Sequence, residues 1–91
     1  MAYRIDYTVE AIEDMVALQR SEPKAYAKVQ RLIEELKAHP RTGTGHPEQL
    51  KGDRAGQWSR RITQKHRLIY TINDTEVVVL VVTSYGHYGD R

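Results

Sequence analysis

The amino-acid sequence predicts a single small α+β domain over residues 1–91, with two N-terminal helices packed on a mainly antiparallel sheet of four to five strands. Three observations lead to this prediction. Apolar residues recur at helical spacing between residues 9 and 36, whereas bulky residues alternate with a period of two over residues 58–62. The chain of 91 residues is too short for a second core, and it contains no repeat, linker or low-complexity segment.

The first two predicted elements are a strand and a helix. Tyr3, Ile5 and Tyr7 alternate with polar residues, which is typical of a strand with one buried face. Thr8 is the predicted N-cap of the helix, because its side-chain oxygen can accept a hydrogen bond from an amide of the first turn. The apolar residues of this helix, predicted to face the core, are Val9, Ile12, Met15 and Val16.

A second helix is predicted after a break at residues 20–23, with Ser21 as its cap and Pro23 in its first turn. Pro40 closes the helical segment. The apolar stripe of the second helix is Tyr26, Val29, Leu32, Ile33 and Leu36. This stripe is most simply part of the core, and a partner-binding groove is the less favoured alternative.

The second half of the chain is predicted to form strands. A hairpin consists of a first strand over residues 58–62, a polar turn at Thr63 to Lys65 and a second strand from Arg67 to Ile72. The last strand, Glu76 to Ser84, contains a run from Val77 to Val82 that is apolar on both faces. Two helices can cover one face, so we expect the C-terminal tail, a second copy or another protein to cover part of the other.

Positive charge is concentrated in and around the hairpin. The whole chain has a net charge of +2, but residues 41–70 contain seven basic and two acidic side chains, a net charge of +5. A concentrated positive field attracts phosphate groups, although a solvated basic face is an equally good interpretation of charge alone. In the predicted hairpin, Arg61 and Arg67 lie side by side and can bind one anion together, and Glu48 precedes the hairpin in the sequence. We therefore expect the chemistry of the protein at these three residues.

Several other classes of protein and of site are not supported. The chain has no cysteine, which excludes disulfides, thiolate nucleophiles and zinc–thiolate sites. No secretory signal is recognisable, and the longest apolar run is too short to span a bilayer, so we predict a cytoplasmic protein without membrane contact. Gly43 and Gly45 lack the spacing of a P-loop. A metal site of His46, Glu48 and His87 has no supporting ligand spacing, and no metal or cofactor is predicted.

Four motifs together resemble those of the YoeB/Txe toxins of the RelE superfamily, in the same order and spacing. They are P-E-Q-L-K-G at residues 47–52, G-Q-W-S-R-R-I at 56–62, H-R-L-I-Y at 66–70 and G-H-Y at 86–88. The resemblance implies a RelE-like, microbial-ribonuclease-like fold. It also implies the toxin of a type II toxin–antitoxin pair, acting as an endoribonuclease on mRNA in the ribosomal A site. The implied partners are a YefM/Axe-like antitoxin, the ribosome and mRNA, and a homodimer is left open.

The same resemblance implies roles for six residues. Glu48, Arg67, His87 and Tyr88 fall on catalytic positions of the family, whereas Lys51 and Arg61 fall on basic positions that hold RNA. Each of the six also has a plainer interpretation: Arg61 can pair with Asp53, for example, and Lys51 can be a solvated charge. Of the other conspicuous residues, His39 and His46 are predicted to be structural or to have no role, His66 to shape the hairpin, and Trp58 and Tyr70 to lie in the core.

The residue types suit metal-independent cleavage of RNA, whose 2′-hydroxyl is a built-in nucleophile. Glu48 can take the proton of the 2′-OH, and His87 can protonate the departing 5′-oxygen, since histidine has a reference pKa of about 6.5. Arg67 and Arg61 offer planar donors to phosphate oxygens, and Tyr88 can stack on a base or form a hydrogen bond near the phosphate. The alternative is a non-catalytic basic domain that binds RNA or the ribosome. Such a domain needs basic residues but has no use for the Glu48/His87 acid–base pair.

Overall fold

The structure, a computed structural model, describes residues 2–84 and confirms the α+β class with two helices and a five-stranded sheet. The elements in chain order are β1 Arg4–Tyr7, α1 Val9–Ser21, α2 Pro23–Leu36, β2 Glu48–Gln49, a 3₁₀ turn Gly52–Arg54, β3 Trp58–Arg61, β4 His66–Ile72 and β5 Glu76–Ser84. The strand order is β1-β5-β4-β3-β2; β1 runs parallel to β5, and the other three pairs are antiparallel. Among residues 2–84 no helix has the length and apolar character needed to cross a membrane.

The core lies between the helices and one face of the sheet. The predicted stripe of α2 is confirmed, since its four aliphatic members are buried and Tyr26 packs against them. They pack with Leu68 and Tyr70 of β4 and with Val77 and Val79 of β5. Trp58 also packs against this cluster, as predicted. The residues of this sheet face are therefore committed to the core, and functional side chains must come from the opposite face or from the loops.

The predicted apolar face of α1 is wrong for three of its four residues, whereas the fourth, Met15, packs against the core. Val9, Ile12 and Val16 are 72%, 50% and 48% exposed, whereas Ala11 and Leu18 are buried. The reason is that α1 binds the edge of β5 through polar side chains. Its N-cap, confirmed as Thr8, accepts from the Ala11 amide and donates through its hydroxyl to Leu80 O at 2.6 Å. Further along the helix, Asp14 Oδ2 accepts from the Val82 amide at 3.1 Å. These contacts turn the face that contains Thr8, Ala11, Asp14 and Leu18 towards the sheet.

The junction between the helices also differs from the prediction. Ser21 is the last residue of α1, where its hydroxyl donates to Ala17 O, and it does not cap α2. Glu22 occupies the N-cap position of α2 without a side-chain capping bond, and Pro23 is in the first turn as predicted. The Glu22 carboxylate instead contacts the turn between β3 and β4.

A bulge decides which residues of the last strand face the core. The pairing of β4 with β5 shifts between Ile69, opposite Val81, and Tyr70, opposite Val79, so that Leu80 is an extra residue. The shift puts Val82 in the same core cluster as Val77 and Val79, while Val81 lies on the other face together with Ile69. Val81 and Ile69 are buried as well, and the C-terminal tail, one of the three covers expected for their face, lies outside the described residues.

Candidate functional site

The register of three strands brings the predicted charged residues together. Arg61 of β3 and Arg67 of β4 are direct cross-strand partners, and Ser59 of β3 lies opposite Glu48 of β2. Since cross-strand partners share a face and alternate residues of a strand do too, all four side chains belong to the face opposite the helices. Like charges directly opposite each other destabilise a sheet. The Arg61/Arg67 pair is thus an arrangement that an anion would stabilise.

These residues line one small polar cavity. Its volume is about 160 Å³, and its lining residues are Gly45, His46, Glu48, Ser59, Arg61 and Arg67. Ser59 is buried, whereas Glu48, His46 and Arg61 are exposed. Within residues 2–84 the side chains of Glu48, His46 and Arg61 form no hydrogen bond or ion pair, and an Arg67 guanidinium nitrogen lies 3.5 Å from Thr63 O. The cavity therefore combines two guanidinium groups, a carboxylate and an imidazole, a set suited to binding an anion and moving a proton.

The loop at one side of the cavity is held by a buried arginine. Arg60 has no exposed surface, and its guanidinium pairs with the Glu35 carboxylate and donates to the Tyr70 hydroxyl at 3.1 Å. The same guanidinium donates to three loop carbonyl oxygens, those of His39, Thr42 and Thr44. The alternation of β3 places Arg60 on the same side as Trp58 and Ile62. A charge on the core side of a strand is thus the signal in the sequence that points to a buried arginine with several partners.

Glu35 completes this anchor. Its two carboxylate oxygens accept from the Thr44 amide at 2.7 Å and the Thr44 hydroxyl at 3.0 Å. Burial acts to raise the pKa of Glu35, but the hydrogen bonds from Thr44 and Arg60 outweigh it and hold the pKa below its ordinary value. The next residue, Gly45, accepts from the Arg61 amide at 2.6 Å. The loop is therefore fixed on both sides of Thr44, next to the strand that bears Arg61.

The turn between β3 and β4 sets the spacing of the two cavity arginines. Thr63 Oγ1 accepts from the amides of Lys65 and His66 at 3.1 and 3.2 Å. His66 Nε2 lies 2.9 Å from Glu22 Oε2, and Lys65 Nζ lies 3.4 Å from the same oxygen. The hydrogen bond with His66 is the main cause that lowers the pKa of Glu22. His66 thus takes part in shaping the hairpin, as predicted, and ties it to the junction of the helices.

The other predicted site residues lie elsewhere. Lys51 is exposed just before the 3₁₀ turn and does not line the cavity, and His87 and Tyr88 lie outside the described residues. Among the described residues, Arg61 forms no ion pair with Asp53, and no group of three His, Cys, Asp or Glu side chains comes together. His46 does line the cavity, although it was predicted to be structural or to have no role.

Comparisons with known proteins agree with the fold and with the motifs. The family model for the YoeB-like toxin of bacterial type II toxin–antitoxin system matches residues 7–88. The toxin YoeB of Streptomyces coelicolor is 42% identical over 85 residues, which cover 93% of this chain and 99% of that protein.

Solved structures give the same result and confirm the fold that the motifs implied. The YoeB/ParE toxin from Agrobacterium tumefaciens superposes with a TM-score of 0.83 at 34% identity, covering 90% of this chain and 98% of that one. Two Staphylococcus aureus structures, a YoeB dimer and a YoeB–YefM complex, superpose with TM-scores of 0.81 and 0.80. In each, the identity is 30% and the superposition covers 91% of this chain and 97% of the matched one.

Proposed function

Since the chain belongs to the YoeB-like toxins of bacterial type II toxin–antitoxin systems, we propose that it is a ribosome-dependent endoribonuclease that cleaves mRNA in the A site and so inhibits translation. The observation that carries the proposal is the cavity in which Glu48 lies with Arg61 and Arg67. A domain that only binds RNA needs the two arginines. The carboxylate beside them repels phosphate, so its presence favours a role in proton transfer.

In the proposed reaction, Glu48 takes the proton from the 2′-hydroxyl of the nucleotide before the scissile bond. The 2′-oxygen attacks phosphorus and forms a 2′,3′-cyclic phosphate, while the bond to the 5′-oxygen breaks. His87 gives a proton to that leaving oxygen. Arg67 and Arg61 donate to the non-bridging phosphate oxygens, which gather negative charge in the transition state. The nucleophile belongs to the substrate, so the scheme requires no catalytic metal.

Two further residues complete the proposal on the strength of the family motifs. Lys51 contacts the RNA backbone outside the cavity, where its exposed position allows it to act as a point charge on a phosphate. Tyr88 stacks on a base or donates a hydrogen bond near the scissile phosphate. These assignments give a role to every residue that the motifs place on a catalytic or RNA-holding position of the family.

The 2′-hydroxyl itself provides the direct test. Programmed ribosomes are given an mRNA with a single 2′-deoxy nucleotide at the mapped scissile position. We expect cleavage there to fall below detection, because DNA-like sugar lacks the nucleophile. A matched mRNA, with the 2′-deoxy nucleotide one position downstream, should be cut at the rate of the all-ribo substrate. The fragments should carry a 2′,3′-cyclic or 3′-phosphate and a 5′-hydroxyl.

Other outcomes of this test point to other functions. Cleavage of the 2′-deoxy position at nearly the ribo rate would eliminate Glu48 as a base acting on the 2′-OH. Fragments with a 5′-phosphate would indicate a water nucleophile activated by a metal ion. Ribosome binding without cleavage of any mRNA would support the non-catalytic domain instead.

The surface formed by Arg61 and Arg67, here called the arginine surface, also suggests how an antitoxin would neutralise the protein. We place an acidic segment of a YefM/Axe-like antitoxin on Arg61 and Arg67, where it covers the cavity. The strand Val77 to Val82 is the other docking surface suggested by the sequence; Val77, Val79 and Val82 are buried in the core, so a segment could add only to its opposite face. A segment on the arginine surface would block substrate and neutralise the facing charges together.

Co-expression with the small neighbouring gene tests this arrangement. We expect the two proteins to co-elute in size-exclusion chromatography, and the Arg61→Glu/Arg67→Glu variant to bind the antitoxin at least about tenfold more weakly, since close charge pairs couple by roughly 1.5 kcal/mol or more. The exposed pair Arg20→Glu/Lys24→Glu serves as the control. Separate elution of the wild-type proteins at micromolar concentration would contradict the idea. The run with toxin alone reports whether this chain forms a dimer, as the Staphylococcus aureus relative does.

A further inference from the structure

His46 has an unusual backbone conformation for its position. Its φ is +56°, and it is the only residue other than glycine with a positive φ among residues 2–84. The left-handed region is unfavourable for residues with a Cβ, and a following proline such as Pro47 pushes its neighbour towards extended conformations. Glycine would adopt this turn with less strain. Since strained residues cluster at functional sites, the side chain at this position is a candidate for a functional role.

The surroundings impose this conformation. On one side of His46, the anchor formed by Arg60 and Glu35 fixes the loop as far as Thr44, and Gly45 accepts from the Arg61 amide at 2.6 Å. On the other side, Glu48 is paired in β2 opposite Ser59. His46 therefore bridges two fixed points, and its backbone has little freedom to relax. The same constraint holds His46 at the wall of the cavity beside Glu48, Arg61 and Arg67.

The imidazole is available to a ligand at this wall. His46 is exposed, and within residues 2–84 its ring forms no hydrogen bond or ion pair. A purely structural histidine would be expected to use a ring nitrogen to hold the loop, as His66 does with Glu22. In this loop the hydrogen bonds come from Arg60 and Thr44 instead. The loop is thus held without the imidazole, whose ring N–H can donate to an anion between the two arginines.

We propose that His46 is a third phosphate ligand of the site and donates a ring N–H to a non-bridging oxygen of the scissile phosphate, beside Arg61 and Arg67. This inference rests on the proposed function and adds a contact that fixes the phosphate relative to Glu48. Because His46 and Glu48 are separated only by Pro47, a rigid residue, a phosphate held by the imidazole has a defined position relative to the carboxylate. His46 binds substrate in this scheme, and it transfers no proton.

The test uses a substitution that removes the ring without straining the backbone. His46→Gly adopts the left-handed conformation easily, so the variant should be at least as stable as the wild type towards urea. Its cleavage of mRNA on programmed ribosomes should nevertheless be about 10- to 100-fold slower, the effect of losing one hydrogen bond to a charged group. The control is His39→Gln, which alters the other histidine–proline pair of the loop but no residue of the cavity. That variant should cleave at the wild-type rate.

Comparison with Arg67→Ala in the same assay separates this inference from the proposed function. If Arg67→Ala is impaired and a folded His46→Gly cleaves at the wild-type rate, the role of His46 is overturned and the nuclease proposal stands. A second readout needs no catalysis: toxin labelled with ¹⁵N-histidine is titrated with inorganic phosphate and followed by NMR. The His46 ring resonances should shift, and the shift should weaken in Arg61→Ala. If they do not respond to phosphate, His46 is not a phosphate ligand, whatever the enzyme cleaves.

Discussion

Replacement of Glu48 by glutamine is expected to slow mRNA cleavage on programmed ribosomes by about 10²- to 10⁴-fold, the usual contribution of a general base. Glutamine has nearly the same size and still occupies β2 opposite Ser59, so the sheet and the arginine pair should remain in place. Because Glu48 is exposed and forms no hydrogen bond within residues 2–84, its loss should not unfold the protein. Single-turnover cleavage measures the chemical step directly, and relief of growth arrest in cells without antitoxin should accompany the loss of activity.

Arg67 provides the companion variant. Arg67→Ala should slow the same step by about 10²- to 10³-fold, as expected for removal of one preorganised donor. Arg67→Lys should restore only part of the rate, because an ammonium group cannot donate the planar pair of hydrogen bonds. Glu10→Gln and Arg20→Lys, which change exposed charges on α1, are the matched controls and should retain wild-type activity. Undiminished cleavage or toxicity in folded Glu48→Gln and Arg67→Ala would show that the chemistry occurs elsewhere.

The features that could be predicted from the sequence are those set by local periodicity. The hairpin is the clearest case, because alternation in β3 and a short polar turn determine both the register and the face of each side chain. Arg61 opposite Arg67 follows from that register alone. The stripe of α2 was equally predictable, since it meets the core with the width typical of an amphipathic helix. Both features depend on neighbours that are close in the chain.

The features that could not be predicted depend on contacts between distant residues. The orientation of α1 is decided by Thr8 and Asp14, whose hydrogen bonds to β5 span most of the chain and override the apolar pattern of the helix. Strand β2 has only two residues, and Glu48 there has no alternation to reveal it. The bulge at Leu80 depends on how β4 and β5 pair over their whole length. In each case tertiary contacts outweighed the local signal.

The candidate site also contains both predictable and unpredictable features. Glu48 and the charged residues of the hairpin were expected together, but His46 was not expected beside them, because its loop is shaped around Arg60, a side chain of β3. The alternation of β3 separates Arg60, on the core side, from Arg61, on the opposite side. The partners of Arg60 in α2, β4 and the loop are distant in the chain, so only the three-dimensional structure identifies them.

This difference between adjacent arginines leads to the prediction with the largest effect on stability. Arg60→Met should lower the free energy of unfolding by about 3–5 kcal/mol, because it leaves the Glu35 carboxylate without its cation and three loop carbonyls without a donor. Arg61→Met makes the same chemical change one residue away. Since Arg61 is exposed and forms no hydrogen bond or ion pair within residues 2–84, the free energy of unfolding of the Arg61→Met variant should differ from that of the wild type by no more than about 0.5 kcal/mol. Urea unfolding followed by circular dichroism gives both values.

The pH dependence of the difference in unfolding free energy between wild type and Arg60→Met shows whether the charge of Glu35 causes it. The pKa of Glu35 in the folded protein lies below its ordinary value of 4.5, so its ionised form contributes stability above that pH, and the contribution is lost as the pH falls through the folded pKa. In Arg60→Met the carboxylate has lost its cation, and protonation removes a charge that has become unfavourable. The gap in unfolding free energy between wild type and Arg60→Met should therefore narrow below about pH 4.5, whereas the small gap for Arg61→Met should stay constant. A gap for Arg60→Met that is the same at pH 7 and at acidic pH would assign the anchoring to the loop carbonyls and not to the Arg60–Glu35 pair.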